Sequence, residues 1–435
     1  MTNNKNYRFD TLKIRAGYNP KEHQYATSVP IYQTTSYELG DTKRAERIVG
    51  NEELGWIYTR ISNPTVDVLE KRVASLDGAT GALALSSGMA AITYTILNLT
   101  EKGGRILTSP YIYGGSFDGF KIIYPKFNVY FDLSQNITNP EKLEKEIKED
   151  TKAIFVESIS NPNGIIIDIE NLAKIAHKNG IPLIVDNTFA TPYLLNPFRY
   201  GADIVIYSVT KSLSGHGNII AGLILENGKF PWNNGKFPQF EQKYYTLRDK
   251  SGIERNYLEV FPEIPFTGKI RMDYLNYFGS ALGPFEAYLA LIGIETLSER
   301  VEKQISNAKK IVEYLRKNTK YVEWINYPSL ETSSYYELAQ KYFPRGAGSV
   351  FTFGFRGNIE QSEKFIDSLK IFSYLANVGD AKSLVVNSPK VTHAELTPEE
   401  QKLAGLKPNL IRLSIGLEDA DDLIEDLEQA FKNVF

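Results

Sequence analysis

Short apolar runs alternate with helical stripes from residue 82 to residue 225, which predicts an α/β protein: a large, mostly parallel sheet, followed by a smaller α/β C-terminal domain. Two further observations point the same way. The chain has 435 residues, more than one ordinary domain needs. Its strand-like runs also end in polar residues, Asp186 after 182–185 and Ser208 after 202–207, and strand ends of open α/β sheets face the ligand crevice.

Residues 1–58 show no clear period, carry Pro20 and Pro30, and include an extended stretch at 29–35, so they are expected to form an N-terminal arm lying on another surface. The segment from Tyr58 through Arg60 to Asn63-Pro64 is a turn and a helix start, followed by a stripe of Val66, Leu69, Val73 and Leu76. A strand is expected at 82–85, then a turn, Ser86-Ser87-Gly88-Met89, into a helix running toward Leu99. Free N–H groups at such a helix start, with Gly88 permitting close approach, form an anion site; the alternative is an ordinary strand–helix turn. There is no G-x-G-x-x-G, so a dinucleotide fold of the usual pattern is not supported.

Strands follow at 105–109, 128–131 and 153–156, with helices after Tyr113-Gly114-Gly115-Ser116, over 140–148 and over 169–178. The residues after 156 bring Asn161 to a strand end, where it can face the cleft or simply cap a turn before Pro162. Residues 226–266 are polar and aromatic without a period and read as a long loop, a length that tends to be functional. One long helix is expected over 286–315, then strands at 322–326, 350–355 and 372–378 alternating with helices at 334–342 and 359–369, and a final helix carrying Leu423, Leu427 and Phe431. The boundaries drawn are an arm over 1–58, a cofactor domain over 59–270 and a C-terminal domain over 271–435.

Composition narrows the function. Net charge is −3 with no long run of either sign, which argues against nucleic acid or an acidic membrane surface and for small-molecule partners. There is no cysteine, which removes disulfides and thiolate chemistry, and His23, His177, His216 and His393 lack metal-ligand spacing, so no metal is expected. The polar N-terminus is no signal peptide and no apolar stretch is long enough to span a bilayer, so a cytoplasmic protein is expected.

Lys211 stands where the 202–208 run stops, framed by the turn Gly215-His216-Gly217-Asn218. Alone, Lys211 reads as a solvated lysine and Asp186 as a helix cap. Together with Ser208, Thr210 and the 86–89 turn they suit pyridoxal phosphate: the amine forms a Schiff base, the carboxylate pairs with the protonated ring nitrogen and the hydroxyls hold the phosphate. Arg412, inside the apolar run 410–416, needs a partner, either a protein carboxylate or the α-carboxylate of an amino-acid substrate.

With Tyr58-x-Arg60, Ser87-Gly88-Met89, Tyr113-Gly114-Gly115, Asn161-Pro162, Asp186-Asn187-Thr188, Ser208-x-Thr210-Lys211 and Arg412-Leu413-Ser414-x-Gly416 in this order, the chain resembles, over nearly its whole length, the cysteine/methionine-metabolism family of pyridoxal-phosphate enzymes. Gly215-His216-Gly217, the insertion at 226–266 and the stretch from Asn377 to Leu384 resemble its O-acetylhomoserine sulfhydrylase branch. The resemblance implies the type I fold of aspartate aminotransferase. It implies Lys211 as Schiff-base lysine, Asp186 as ring-nitrogen partner and Tyr113 as the ring stacked on the cofactor and a catalytic side chain. Ser87, Gly88, Met89, Ser208 and Thr210 would hold the phosphate. Tyr58 and Arg60 would reach it from a neighbouring subunit, making a homodimer the minimum and a homotetramer the expected assembly. Asn161, Ser383, Arg412 and Tyr58 would position the amino-acid substrate, with Asn161 also bordering the cofactor.

The implied activity replaces the γ-acetate of O-acetylhomoserine by sulfide, giving homocysteine. Open beside it are a methionine or cystathionine γ-lyase, a sulfhydrylase acting on O-succinylhomoserine or O-acetylserine, and a pyridoxal-phosphate-binding protein without turnover. Residues 385–393 and 244–261 differ from the branch pattern, which bears on the substrate; methionine γ-lyases tend to carry cysteine where Gly115 stands.

Overall fold

In the computed structural model, which describes residues 7–50, 52, 53 and 55–435, seven strands form the large sheet: β1 Gly81–Leu85, β2 Gly104–Thr108, β3 Val129–Leu133, β4 Thr151–Glu157, β5 Leu183–Asp186, β6 Ile204–Ser208 and β7 Gly222–Glu226. Their order is β1-β7-β6-β5-β4-β2-β3. Only β7 runs antiparallel, to β1 and to β6, while the remaining neighbours are parallel. Strands β4 to β6 are almost wholly buried because helices cover both faces, which is why they read as continuous apolar runs rather than alternating ones. Their C-terminal ends carry Glu157, Asp186 and Ser208 side by side: Glu157 is paired with Asp186, and Asp186 with Ile206. The residues 1–6 of the polar N-terminus lie outside the described part.

The second sheet comprises β8 Val322–Asn326, β9 Val350–Phe355, β10 Ser373–Tyr374, β11 Leu384–Val386 and β12 Leu410–Ser414, in the order β10-β11-β12-β9-β8. It is antiparallel except for β10 against β11. Its inner face packs Phe351, Phe353, Phe355, Ile411 and Leu413 against Leu423, Leu427 and Phe431 of the last helix, Ala420–Lys432.

Several expectations need correction. The strand expected at 372–378 is reduced to Ser373–Tyr374, and Leu384–Val386 is a strand that periodicity did not reveal. Between them the backbone leaves the ladder: Gly379 has φ +70 and its N–H donates to Ser414 Oγ at 2.9 Å. The helix expected over 286–315 is two, Pro284–Glu295 and Leu297–Lys317, separated at Thr296. Gly293, near that break, lies so close to Ser214 that a Cβ would stand 2.2 Å from the Ser214 carbonyl oxygen. The helix over 140–148 stops at Pro140–Glu144, because the chain must turn into β4. The N-terminal segment has no regular structure over 29–34, where the Gln33 and Thr34 N–H groups donate to the carbonyls two residues back, and it contains the helices Phe9–Arg15 and Thr42–Val49. The first packs Phe9 and Leu12 on the core and buries Lys13, whose Nζ donates to Ser298 Oγ at 2.5 Å and to Glu299. Ile270 and Arg271, on either side of the drawn domain boundary, are consecutive residues of one helical run.

Residues 226–266 are a loop without long helices, but not a loosely held one. Trp232 stacks on Phe240 at 4.6 Å and on Phe266 at 5.0 Å, and Phe230 and Phe237 close the cluster. Ring packing, which has no sequence period, orders this segment. Lys269, 1% exposed, lies over the Tyr257 ring and pairs with Glu101 and Asp273.

One pair on the rim of the sheet has a pH signature. His177 Nε2 lies 2.8 Å from Asp203 Oδ2, and that hydrogen bond raises the imidazole above its ordinary value against the opposing effect of burial. A raised histidine stabilises the fold fully below its unfolded pKa and loses that contribution as pH rises through the folded value. The melting-temperature gap between wild type and H177Q is therefore expected to be wider at about pH 5.5 than at about pH 8.5. Calorimetry at the two pH values checks this.

Candidate active site

A cavity of about 520 Å³ opens at the C-terminal ends of β4 to β6, between the two sheets. Each strand end delivers one group. Lys211 follows β6 by three residues; its Nζ donates to Asn377 Oδ1 at 2.6 Å. Burial, and secondarily the Arg412 charge, lowers the amine to about 8. Asp186 ends β5. Its Oδ1 accepts the Thr188 N–H at 3.0 Å, the Thr188 side chain also hydrogen-bonds the carboxyl, and burial raises its pKa to about 6.

On the opposite wall the helix Gly88–Leu99 presents its N-terminus, capped by Ser87, whose Oγ accepts the Ala90 N–H at 3.0 Å. Gly88 is required by space: a Cβ there would stand 2.8 Å from Ser208 Cβ. Ser87, Gly88, Met89, Ser208 and Thr210 thus share one corner of the cavity, a dipole end with small hydroxyls, suited to a phosphate. Thr210 Oγ1 accepts the Ala221 N–H at 3.0 Å, which fixes the turn leading to Lys211.

Tyr113 also lines the cavity, 44% exposed. A Cβ on Gly115 would lie 2.7 Å from Tyr113 Cε1, so a side chain at that position would press on the ring. Arg412 is 3% exposed and donates from Nη1 to Asn161 Oδ1 at 2.9 Å and from Nη2 to the Asn377 carbonyl at 3.0 Å. Both acceptors are neutral, and among the described residues no carboxylate pairs with this guanidinium. Burial lowers it to about 10. A buried cation held only by neutral groups at the edge of a cavity is suited to an incoming carboxylate.

Three expected residues are not brought to this cavity. Ser383 is fully buried elsewhere: its Oγ donates to Glu418 Oε2 at 2.8 Å and accepts the Gly416 N–H at 2.9 Å, so its hydroxyl is spent on holding the turn after β12. Tyr58 and Arg60 lie outside it, with the guanidinium 5.1 Å from the tyrosine ring centroid. His216 is likewise outside, its Nδ1 2.5 Å from the Ser214 carbonyl oxygen.

Among the cavity residues that the sequence reading assigned no role are Asn377 and Glu157. Asn377 sits in the loop mistaken for a strand; the turn-forming string Asn-Val-Gly-Asp was the available signal. Glu157 ends β4 beside Asp186, and the strand-end rule applied to Asp186 would have found it. Glu157 Oε1 accepts the Tyr113 N–H at 2.6 Å and Oε2 accepts the Asn161 N–H at 3.0 Å, so one carboxylate joins the turn carrying the ring to the turn facing Arg412. Burial, then the neighbouring Asp186 charge, raises it well above the ordinary range. In E157Q the amide cannot accept with both ends, so one N–H loses its acceptor. The KM for the amino acid is expected to rise roughly 10-fold, with a shifted cofactor absorbance, measured by steady-state kinetics and visible spectroscopy.

The donor set fits pyridoxal phosphate: an anion corner where Gly88 leaves no space for a side chain, a buried carboxylate lining the same cavity, and a buried amine. An amine poised to condense with an aldehyde, on a sheet whose neighbouring helix offers its N-terminus to a phosphate, defines the class as an enzyme dependent on that cofactor. The chain belongs to the Cys/Met metabolism PLP-dependent enzyme family, whose pattern it matches over residues 10–432.

Among its relatives, an O-acetyl-L-homoserine sulfhydrylase of Leptospira meyeri is 42% identical over 439 residues, covering 99% of this chain and 98% of the relative. A homocysteine/cysteine synthase of Kluyveromyces lactis is 42% identical over 447 residues, covering 98% of each. A crystal structure of a candidate O-acetylhomoserine (thiol)-lyase from Campylobacter jejuni, which contains a pyridoxyl-lysine monophosphate, superposes with a TM-score of 0.92 at 37% identity, covering 98% of this chain and 100% of that one. The expected type I architecture is thereby established. Among the described residues no helix is long and apolar enough to cross a membrane.

Proposed function

We propose that the chain is a pyridoxal-phosphate-dependent O-acetylhomoserine sulfhydrylase, replacing the γ-acetate of its substrate by sulfide to give homocysteine. The observation that carries this reading is Arg412, buried beside Lys211 and, among the described residues, hydrogen-bonded to the Asn161 and Asn377 oxygens and to no carboxylate. An α-carboxylate completes that site, and an amino-acid Cα then lies between Arg412 and the Lys211 amine. When bound, the cofactor supplies an electron sink for carbanions at the substrate Cα and Cβ.

Lys211 holds the cofactor and, once freed, moves the α-proton; its lowered pKa suits a base near neutral pH. Asp186 keeps the ring nitrogen cationic. Tyr113 covers the ring, and Arg412 with Asn161 and Asn377 orients the carboxylate. Ser87, Gly88, Met89, Ser208 and Thr210 hold the phosphate. Tyr58 and Arg60, which lie outside the chain's own cavity, reach the phosphate, and Tyr58 the substrate, in a second copy, so the active unit is at least a homodimer and the assembly a homotetramer in the cytoplasm. The division into an arm to residue 58, a cofactor domain to 270 and a C-terminal domain belongs to the same proposal.

The test mixes purified holoenzyme with O-acetylhomoserine, with and without sulfide, and follows homocysteine, acetate and 2-oxobutyrate. Sulfide-dependent homocysteine with one acetate per turnover is expected. Untouched O-acetylhomoserine, with oxo acid released from methionine or cystathionine, replaces the proposal by a γ-lyase. O-Acetylserine in a parallel arm tests the second substrate that the name of the Kluyveromyces relative carries.

A further inference from the structure

The helix Leu297–Lys317 buries a row of polar side chains that touches neither cofactor corner nor substrate arginine. Arg300, Gln304 and Asn307 are 5%, 2% and 1% exposed, and their i, i+4, i+7 spacing puts them on one helix face, about 10 Å from first to last. All three act as donors to backbone carbonyls. Arg300 Nη1 donates to Ser212 O at 2.9 Å, and Nη2 to Leu213 O at 3.1 Å and Gly293 O at 2.6 Å; Nε reaches Thr296 Oγ1 at 3.3 Å. Gln304 Nε2 donates to Asp380 O at 2.9 Å. Asn307 Nδ2 donates to Gly416 O at 3.1 Å and to Glu418 O at 2.8 Å.

Apart from Gly293, which belongs to the neighbouring helix Pro284–Glu295, those carbonyls lie in three segments that adjoin cavity residues. Ser212 and Leu213 directly follow Lys211. Asp380 is three residues past Asn377. Gly416 and Glu418 follow the strand of Arg412. The backbone has been shaped to the row: Gly215 adopts φ +72, and a Cβ there would fall 1.8 Å from Arg300 Nη1. Among the described residues Arg300 forms no hydrogen bond to a carboxylate; its hydrogen bonds go to carbonyls and the Thr296 hydroxyl, with the Glu299 charge acting at longer range, and an apolar side chain of the same volume would leave those carbonyls without its donors.

We infer that Arg300, Gln304 and Asn307 are positioning residues that set the spacing between the Lys211 amine and the carboxylate-reading pair of Arg412 and Asn377. Arg300 governs the cofactor side and Gln304 the substrate side. The inference rests on the roles proposed above for Lys211 and Arg412. It predicts that the two sides separate on mutation. Q304M keeps volume and burial but removes the side-chain donor to Asp380 O, one of the bonds that hold the 377–383 loop. R300K keeps the charge, but an ammonium cannot fork across Ser212, Leu213 and Gly293.

The experiment compares wild-type, Q304M and R300K holoenzymes by kinetics at saturating sulfide, by cofactor absorbance, by the rate of cofactor capture by hydroxylamine, and by thermal melting. Q304M is expected to raise the KM for O-acetylhomoserine roughly 10-fold with kcat within about 3-fold and absorbance and hydroxylamine rate unchanged. R300K is expected to speed hydroxylamine capture roughly 10-fold and shift the absorbance, with a smaller change in KM. Kinetic constants and absorbance unchanged beside lowered melting temperatures would overturn the inference, as would both variants moving the same readouts. An R300K protein without a thermal transition removes Arg300 from it. Wild-type protein that neither holds the cofactor nor turns over O-acetylhomoserine sinks the parent proposal instead.

Discussion

Replacing Lys211 by alanine is expected to cut turnover at least ~10,000-fold, because in the proposed function one amine serves both as the nucleophile that carries the cofactor and as the base that moves the α-proton. The surroundings tune it for both tasks. Burial and the Arg412 charge bring it to about 8, so a fraction is unprotonated near neutral pH, while Asn377 Oδ1 at 2.6 Å fixes where its Nζ points. K211A should retain the phosphate corner, since Ser87, Gly88 and Ser208 are untouched, and should therefore still bind the cofactor, but without a covalent link. Borohydride treatment followed by peptide mapping tests this: wild type is expected to show a reduced pyridoxyl group on the peptide containing position 211, and K211A none. A wild-type protein that stays colourless and takes no label there removes the basis of the proposed function.

The second large effect is expected for D186N, a loss of turnover of roughly 100- to 1,000-fold, because a neutral amide cannot hold the ring nitrogen protonated while charge develops on it. The same substitution should have the opposite effect on the cofactor-free protein. Asp186 and Glu157 are buried neighbours at paired strand ends, and burial raises both. An acid raised by folding adds stability that is fully present below its unfolded pKa and is lost as pH rises through the folded value. Cofactor-free D186N is thus expected to melt higher than cofactor-free wild type at about pH 8, and this gap should shrink toward about pH 4. With cofactor bound, the ring cation offsets the two carboxylates and wild type should gain more melting temperature than D186N. Matched scans of both proteins with and without cofactor check the sign, and an equal gain for both would contradict the pairing.

Much of the cavity was legible because the relevant residues end strands. Lys211, Asp186 and Asn161 follow or close β-runs whose apolar composition marks them, and Gly88 stands at a strand-to-helix turn that chain order alone identifies. Glu157 follows the same logic. Asn377 does not: it lies on an irregular loop whose direction is set by Gly379 and by a bond to Ser414, contacts remote in sequence. Ser383 fails in the opposite way. Its motif points to substrate, but Glu418 and Gly416 occupy its hydroxyl.

By itself the sequence determined the α/β alternation and put Lys211, Asp186 and the 86–89 turn at strand ends and a helix start, because periodicity, strand ends and helix starts are local properties of the chain. Only the tertiary structure decided that, among the described residues, Arg412 meets no carboxylate, that the helix expected over 286–315 breaks at Thr296, and that one buried helix face donates to backbone carbonyls of segments next to the cavity. Each of these depends on which backbone carbonyls and side chains distant segments bring within hydrogen-bonding reach, and chain order carries no record of that.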